Sequence, residues 1–164
     1  MNAKAMPVSK VMRRQLPALL GSLRRVNRER RKGGAVLPWK LEFFTTYSCG
    51  SRCKTCLIWT RYERNPELRA KELPAEAFGK ITESIGQGLR WISFTGGEIT
   101  DREDALDLAT AVVDAAPRAR VISSSSHGLA PERTEALFGA LASKYPDRAI
   151  MVTLSLDGLK ESYK

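Results

Sequence analysis

At 164 residues, 43% of them hydrophobic, the chain is long enough for one domain with a hydrophobic core and hardly for two. Its formal net charge is +9, and no apolar run approaches the roughly 18 residues that a transmembrane helix needs. Three cysteines cannot all pair, which excludes a small disulfide scaffold, and the first residues lack the features of a secretory signal, so we expect a cytoplasmic protein.

The positive charge lies almost entirely in residues 1–34. Of the chain's 27 basic and 18 acidic residues, ten basic and one acidic residue fall there, which leaves 17 of each in the remainder. Apolar residues at three- and four-residue spacing predict an amphipathic helix, which Pro17 is expected to kink or break. These apolar residues are Val8, Met12, Leu16, Leu19, Leu20 and Leu23.

The stretch RKGG, at 31–34, is typical of a hinge into the following domain. We expect residues 1–34 to form a basic N-terminal extension whose helix packs on the domain with its charged face in solvent. Contact of this extension with nucleic acid or with an anionic membrane surface is the alternative.

Residues 35–164 alternate between strand and helix patterns. Strands are predicted at 40–47, 90–98, 120–128 and 149–158. Helices are predicted at 73–89, 101–117 and 130–145. Asp101 is expected to cap the second of these helices. Strands joined by single helices favour right-handed crossovers and a parallel sheet, so the expected fold class is α/β.

Each predicted strand ends in residues that are unusual for packing. In a parallel sheet these carboxyl ends meet at one edge, which is where ligands bind. The four strand ends carry, in order, the cysteines, Thr95 to Glu98, Ser123 to Gly128, and Ser155 to Gly158. Polar residues at all four ends indicate a ligand site there.

Cys49, Cys53 and Cys56 are the only cysteines in the chain and follow the first strand. Three thiolates on one short loop can hold a soft metal ion or an iron–sulfur cluster. A structural zinc site usually has four ligands, and the only histidine, His127, lies far downstream, although at the same predicted edge. The spacing alone leaves an iron–sulfur cluster, zinc and a redox role open.

The spacing C-x3-C-x2-C, from Cys49 to Cys56, resembles the signature of the radical S-adenosylmethionine (SAM) superfamily. FTGGE, which ends at Glu98, is similar to the glycine-glycine-glutamate motif of that superfamily. SLDG, at 155–158, is similar to a stretch common in its peptide-modifying and cofactor-building branches. The motifs stand in the family's order, and the resemblance covers residues 38–164.

The resemblance implies a TIM-like (β/α) barrel with enzymatic activity. In that family three cysteines, here Cys49, Cys53 and Cys56, hold a 4Fe–4S cluster, and the methionine amino and carboxylate groups of S-adenosyl-L-methionine chelate the fourth iron. Cleavage of SAM then yields a 5′-deoxyadenosyl radical that abstracts a hydrogen atom from a substrate, whose identity the resemblance leaves open. An electron donor such as a ferredoxin or flavodoxin is the implied partner.

Six residues on the predicted edge are candidate contacts of SAM: Gly96, Gly97, Glu98, Ser124, Ser155 and Asp157. The two glycines lack side chains that would keep the backbone from a ligand. Glu98 is suited to accept a charge-assisted hydrogen bond from the methionine ammonium. The serines and Asp157 are candidates for the carboxylate, the ribose, or the substrate.

Two positions depart from the family's pattern. Thr55 stands before the third cysteine, where the family often has an aromatic residue near the adenine. His127-Gly128 stands where Asn-Gly is common, and we expect His127 to be a loop histidine bonded to backbone. Trp59 and Tyr62, which follow the cysteines, are expected to shield the cluster loop.

The family's barrel has more strand–helix units than the four strands and three helices predicted here. We therefore expect a partial barrel, from the N-terminal part of a longer enzyme or from a truncated gene. Two alternatives stay open: an RNA-modifying radical SAM enzyme, which the basic arm favours, and a non-catalytic iron–sulfur or zinc-binding module.

Overall fold

The structure is a computed structural model, and it describes residues 8–33 and 37–156. This part of the chain contains four strands and five α-helices. In order they are α1 Val8–Arg31, β1 Lys40–Phe44, α2 Thr60–Arg64, α3 Ala75–Ile85, β2 Trp91–Thr95, α4 Ala105–Asp114, β3 Val121–Ser126, α5 Pro131–Lys144 and β4 Ala149–Leu154. Short 3-10 turns at Leu57–Trp59, Pro66–Lys71, Gly86–Gly88 and Ile99–Asp101 complete the connections.

The strands form one parallel sheet in chain order, β1-β2-β3-β4. The register aligns Phe43 of β1 with Phe94 of β2. Phe94 is aligned with Ser124 of β3, and Ser124 with Val152 of β4. A parallel sheet requires a crossover after each strand, and α3, α4 and α5 supply the three crossovers. The predicted α/β class with a parallel sheet is confirmed.

The hydrophobic core lies between the sheet and helices α3, α4 and α5, which pack side by side. On β2 the alternation is strict, since Ile92 and Phe94 are fully buried while their neighbours are half-buried. The Phe94 side chain packs beside Phe43, whose ring meets that of Phe78 on α3 edge to face at a centroid distance of 5.3 Å. The opposite face of the sheet carries exposed side chains, among them Phe44 and Met151.

Asp101 does not cap α4, contrary to the prediction. The helix begins at Ala105, and Asp101 lies in the preceding 3-10 turn. Its carboxylate has other partners, because Oδ2 accepts a hydrogen bond from the Gly50 amide at 3.0 Å and Oδ1 lies 3.3 Å from the Arg133 guanidinium. Asp101 therefore connects the cysteine loop to α5 instead of starting a helix.

Helix α1 runs through Pro17 without a break and ends at Arg31, followed by a turn in which Gly33 has a positive φ of 70°. The helix is therefore not broken at Pro17, which leaves a kink as the expected effect of this proline. The hinge expected at 31–34 stays a prediction, and Gly34 lies outside the described residues. Within the described ranges, no helix combines the length and the apolar character that crossing a membrane requires.

Candidate functional site

The cysteine-bearing loop lies against the carboxyl end of β2. Two short backbone hydrogen bonds fix it there, from the Gly97 amide to the Thr46 carbonyl and from the Glu98 amide to the Ser48 carbonyl, each 2.7 Å long. They extend the pairing of β1 with β2 past the last residue of each strand. The three residues of the GGE motif and the start of the cysteine loop are thereby joined into one unit.

Gly96 and Gly97 are required by this close approach of two backbones. Gly96 has φ +115°, and a Cβ there would lie 2.7 Å from the Thr46 carbonyl oxygen. A Cβ on Gly97 would lie 2.7 Å from the Ser48 carbonyl carbon and would overlap its oxygen. The space beside the glycines is thus filled by the protein's own backbone, and their contact with SAM stays a prediction.

Glu98 is the buried acid of this edge, with a residual exposure of 1%. Its Oε2 atom accepts hydrogen bonds from the Ser126 hydroxyl and from the His127 amide, each 3.0 Å long. Its Oε1 atom has no hydrogen-bond partner in the described part of the protein. A buried acceptor without a partner is costly, so this oxygen is the atom of the edge most in need of a donor.

His127 lies between Glu98 and the cysteine loop. Its Nδ1 atom accepts a hydrogen bond of 2.9 Å from the Leu129 amide, which confirms the expected loop histidine bonded to backbone. A neutral ring that accepts at Nδ1 carries its proton on Nε2. That nitrogen is 3.5 Å from Glu98 Oε2, and it lies 3.6 Å from the position of a Cβ on Gly50.

The three cysteines lie on this loop with free thiols, and none forms a disulfide in the described structure. Cys49 and Cys53 are half-buried, and Cys56 is exposed. Burial raises the pKa of the Cys49 thiol, and the charges of Asp101 and Glu98 raise it further. The Trp59 indole donates to the Cys53 carbonyl at 3.3 Å, so Trp59 contacts the loop, and the shielding of the loop by Trp59 and Tyr62 stays a prediction.

The donor chemistry of this loop fits an iron–sulfur cluster or another soft metal centre, because all three groups are thiols. Among the residues that the structure describes, however, no three side chains of the metal-binding types are already gathered into a metal site. A metal centre on this loop would therefore require the thiols to converge as it binds, as is common where metal binding is coupled to local folding.

Arg102 and Glu72 close the base of the cysteine loop. The Arg102 side chain is 6% exposed and donates to the Thr45 carbonyl at 2.9 Å and to the Leu73 carbonyl at 3.0 Å, which are the two ends of the segment that contains the cysteines. The same guanidinium pairs with Glu72 at 3.2 Å and with both oxygens of Asp104 at 2.8 Å. We call this group the Arg102 clamp.

Glu72 extends the clamp into the loop, because its Oε1 atom accepts hydrogen bonds from the hydroxyl groups of Thr46 and Tyr62. Tyr62 is thus a support of the loop's base. The hydrogen bond from Arg102 lowers the pKa of Asp104. Because the folded-state pKa is lowered, this stabilisation is present above the ordinary pKa of an aspartate and is lost as pH falls through the lowered value.

Replacing Arg102 by methionine should destabilise the protein by about 2–4 kcal/mol, because the change leaves the Thr45 and Leu73 carbonyls without their donor and the half-buried Glu72 without its cation. Denaturant unfolding measures the effect. Arg120→Met is the matched control, since the pair of Arg120 with Asp147 is exposed and an exposed pair contributes about 1 kcal/mol or less. Equal losses in the two variants would contradict a structural role of the clamp.

Ser124, one of the predicted contacts of SAM, does not hydrogen-bond to Glu98. It lies two residues before the end of β3, and its buried hydroxyl is 3.2 Å from the Phe94 carbonyl. Ser126, which belongs to the polar end predicted for the same strand, donates a hydrogen bond to Glu98 instead. The Ser155 amide donates to the Ser126 carbonyl at 2.9 Å, so its exposed side chain is at the same edge. Asp157 lies outside the described residues.

Comparisons of the chain with protein-family models, with curated proteins and with solved structures found no match. Inference about function therefore depends on the sequence motifs and on the geometry of this edge.

Proposed function

We propose that the protein is a radical SAM enzyme, or the N-terminal portion of one, which binds a 4Fe–4S cluster and SAM at the carboxyl edge of the sheet. The observation that carries the proposal is the docking of the cysteine loop on the GGE motif. Its two hydrogen bonds of 2.7 Å hold the segment that bears three free thiols beside a buried glutamate with an unpartnered oxygen.

Cys49, Cys53 and Cys56 would hold the cluster, and three ligands for four irons leave one iron open to a small molecule. When bound and reduced, the cluster with SAM supplies a 5′-deoxyadenosyl radical able to abstract a hydrogen atom from a substrate. The proposed electron donor is a protein such as a ferredoxin or a flavodoxin.

Glu98 would bind the methionine ammonium through Oε1. Its other oxygen is held by Ser126 and by the His127 amide, so the carboxylate is fixed before any ligand arrives. A charge-assisted hydrogen bond from an ammonium would satisfy the buried acceptor that has no partner in the described protein. Glu98, held in place by Ser126 and His127, would thus bind and orient the methionine ammonium.

We further propose that the sheet is part of a TIM-like barrel. Helices α3, α4 and α5 pack beside one another on one face of a sheet whose strand order follows the chain, as in a (β/α) barrel. A doubly wound sheet would instead have helices on both faces. The opposite face, which carries the exposed Phe44 and Met151, would then be the barrel interior.

Anaerobic purification and reconstitution of the full chain with iron and sulfide tests the proposal. We expect a brown protein with about four irons per chain, which converts SAM to 5′-deoxyadenosine when reduced with dithionite. Mass spectrometry detects the product. A colourless protein that contains one zinc ion, or a brown protein that leaves SAM intact with every reductant, would favour the non-catalytic alternative.

The zinc alternative has one observation in its favour, since His127 Nε2 lies against Gly50 of the cysteine loop and would complete a Cys₃His set. The hydrogen bond of the ring argues against it. Nδ1 accepts from the Leu129 amide, so Nε2 carries the proton, whereas a histidine that binds zinc through Nε2 keeps its proton on Nδ1. Zinc binding by His127 would require this bond to break.

Glu98→Gln should weaken SAM binding by about one to two decades while the iron content stays unchanged, because one charge-assisted hydrogen bond contributes about 1.5–3 kcal/mol. The amide oxygen of glutamine can keep the bonds from Ser126 and His127, and its NH₂ group then replaces the acceptor Oε1. Calorimetric titration of SAM into the reconstituted protein measures the change.

The matched control for this prediction is Glu103→Gln, since Glu103 is an exposed acid of the same segment. We expect it to bind SAM as the unmodified protein does. If both variants bind SAM with the affinity of the unmodified protein, Glu98 does not contact the ammonium.

A further inference from the structure

Helix α1 has a stripe of exposed leucines. Leu16, Leu20 and Leu23 recur at intervals of four and three residues, and each side chain is 44–50% exposed. With about 3.6 residues per turn they share a face that spans roughly one-sixth of the helix circumference. The expectation that this apolar face packs on the domain is not met for these three residues.

Among the described side chains of α1, the partly covered ones lie near its C-terminal end and on another side from the leucines. Arg25, Val26 and Glu29 are half-buried, and helical geometry separates the centre of this group from the centre of the leucine stripe by roughly 140°. The leucine stripe therefore points away from the half-buried residues at the C-terminal end of the helix. An exposed apolar stripe of this kind indicates an interaction surface.

Positive charge flanks the leucine stripe. Residues 1–34 hold ten basic residues and one acid, and Arg13, Arg24, Arg28 and Arg31 are exposed along α1. The arginines adjoin the leucines around the helix, so their long aliphatic stems can lie beside apolar surface while the charged heads reach polar surroundings. Of the acids in the sequence, only Glu29 falls in this segment.

Three arginines of the domain lie close together, since the Arg90 guanidinium donates to the Arg118 carbonyl at 3.4 Å and the Arg120 amide donates to the Arg90 carbonyl at 2.9 Å. Burial lowers the pKa of Arg90, and the positive charges of Arg118, of Arg25 on α1 and of Arg120 lower it further. Arg90 precedes β2, and Arg118 and Arg120 precede β3. This group is therefore at the amino edge of the sheet, opposite the cysteines.

We propose that α1 is an interfacial helix, which lays its leucine stripe into an anionic lipid bilayer and binds the lipid headgroups with its arginines. An apolar stripe flanked by basic residues is the pattern of helices that lie in the plane of a membrane. A second copy of the chain is disfavoured as the occupant because dimerisation through this face would bring two strongly basic segments together. Nucleic acid would satisfy the arginines and leave the leucines in water.

The proposed contact uses no residue of the cysteine edge, which lies at the opposite end of the strands from Arg90, Arg118 and Arg120. Membrane binding through α1 is therefore independent of the proposed function.

Co-sedimentation of the full chain with lipid vesicles tests the proposal. One set of vesicles is phosphatidylcholine alone, and the other contains phosphatidylglycerol as a third of its lipid. The test variant changes Leu16, Leu20 and Leu23 to glutamine, which has nearly the same helix propensity as leucine. The control makes the same change to glutamine at Leu37, Leu73 and Leu106, which lie outside α1 and have a similar exposure of 42–47%.

We expect the unmodified chain and the control to sediment with the anionic vesicles. With phosphatidylcholine vesicles, both proteins should remain in the supernatant. The α1 variant should bind the anionic vesicles at least about tenfold more weakly, since each leucine withdrawn from the lipid loses a large part of its transfer free energy. Circular dichroism checks that the three proteins have equal helix content.

Three outcomes would overturn the proposal. In the first, the α1 variant retains the vesicle affinity of the unmodified chain. In the second, the unmodified chain binds an RNA oligonucleotide more tightly than anionic vesicles, and the leucine changes leave RNA binding intact. In the third, the unmodified chain is a dimer that the leucine changes convert to a monomer. The second outcome would favour nucleic acid as the partner, and the third would favour a second copy of the chain.

Discussion

Alanine at any one of Cys49, Cys53 or Cys56 should abolish the four-iron cluster of the reconstituted protein. The chain holds no other cysteine, so no thiol is available to replace the one removed. With two thiolates left, the loop lacks the ligands that a 4Fe–4S centre needs from the protein. Iron analysis and the visible absorption spectrum of each anaerobically reconstituted variant measure the loss.

Thr55→Ala is the matched control for the cysteine variants, since Thr55 is an exposed residue of the same loop and has no thiol. We expect it to take up as much iron as the unmodified protein. Cysteine variants that retain full iron content with an unaltered spectrum would exclude the three thiols as ligands. A loss of iron in the Thr55 variant as well would attribute the effect to loop folding.

The four strands and the crossover helices α3, α4 and α5 could be predicted from the sequence because each has a strong local pattern, whereas the short helix α2 was not predicted. The burial alternation of β2 and the apolar stripe of α4 are both properties of consecutive residues. Boundaries were less accurate where glycines and polar residues follow a strand. β1, for example, ends at Phe44, three residues before its predicted end, since Thr45 to Tyr47 belong to the loop.

The role of Asp101 was not predictable from its neighbours in sequence. An aspartate before an apolar stripe is a common helix cap, and nothing local distinguishes it from one that bonds elsewhere. Its partners, the Gly50 amide and Arg133, are 51 and 32 residues away. Contacts of that separation depend on how the elements pack, which a local pattern does not contain.

The Arg102 clamp was missed for the same reason. Its sequence signal is only the acidic and basic run DRED, which is typical of a solvated turn. The clamp consists of contacts from Arg102 to Thr45, Glu72 and Leu73, and these become neighbours only when the segment from β1 to α3 closes on itself. A buried arginine can be inferred only after that closure is known.

The GGE motif was predicted to be part of the site, and the structure adds a role for its glycines. The prediction considered the approach of a ligand to a bare backbone. The described contacts are instead with the backbone of the cysteine loop, through Gly97 to Thr46 and through Glu98 to Ser48. The glycines thus link the loop to Glu98, and this link leads to the second large expected effect.

Gly97→Ala should release the cysteine loop from β2 and destabilise the protein by about 3 kcal/mol or more. The new Cβ would overlap the Ser48 carbonyl oxygen, and both atoms belong to backbone that cannot turn aside as a long side chain would. Movement of the loop would also break the hydrogen bonds that Thr46 and Ser48 accept. Denaturant unfolding measures the stability, and reaction with a thiol reagent measures the exposure of Cys49.

Gly139→Ala is the matched control for Gly97→Ala. Gly139 lies exposed within α5, and a Cβ there would meet no atom within 4 Å. Alanine in a helix should stabilise the protein by about 0.5–1 kcal/mol, so the same substitution at the two glycines has opposite expected signs. If Gly97→Ala unfolds at the same denaturant concentration as the unmodified protein and leaves Cys49 equally slow to react, the loop is not held on β2 by this contact. The cysteines and Glu98 would then not form one rigid site, and the observation that carries the proposed function would be lost.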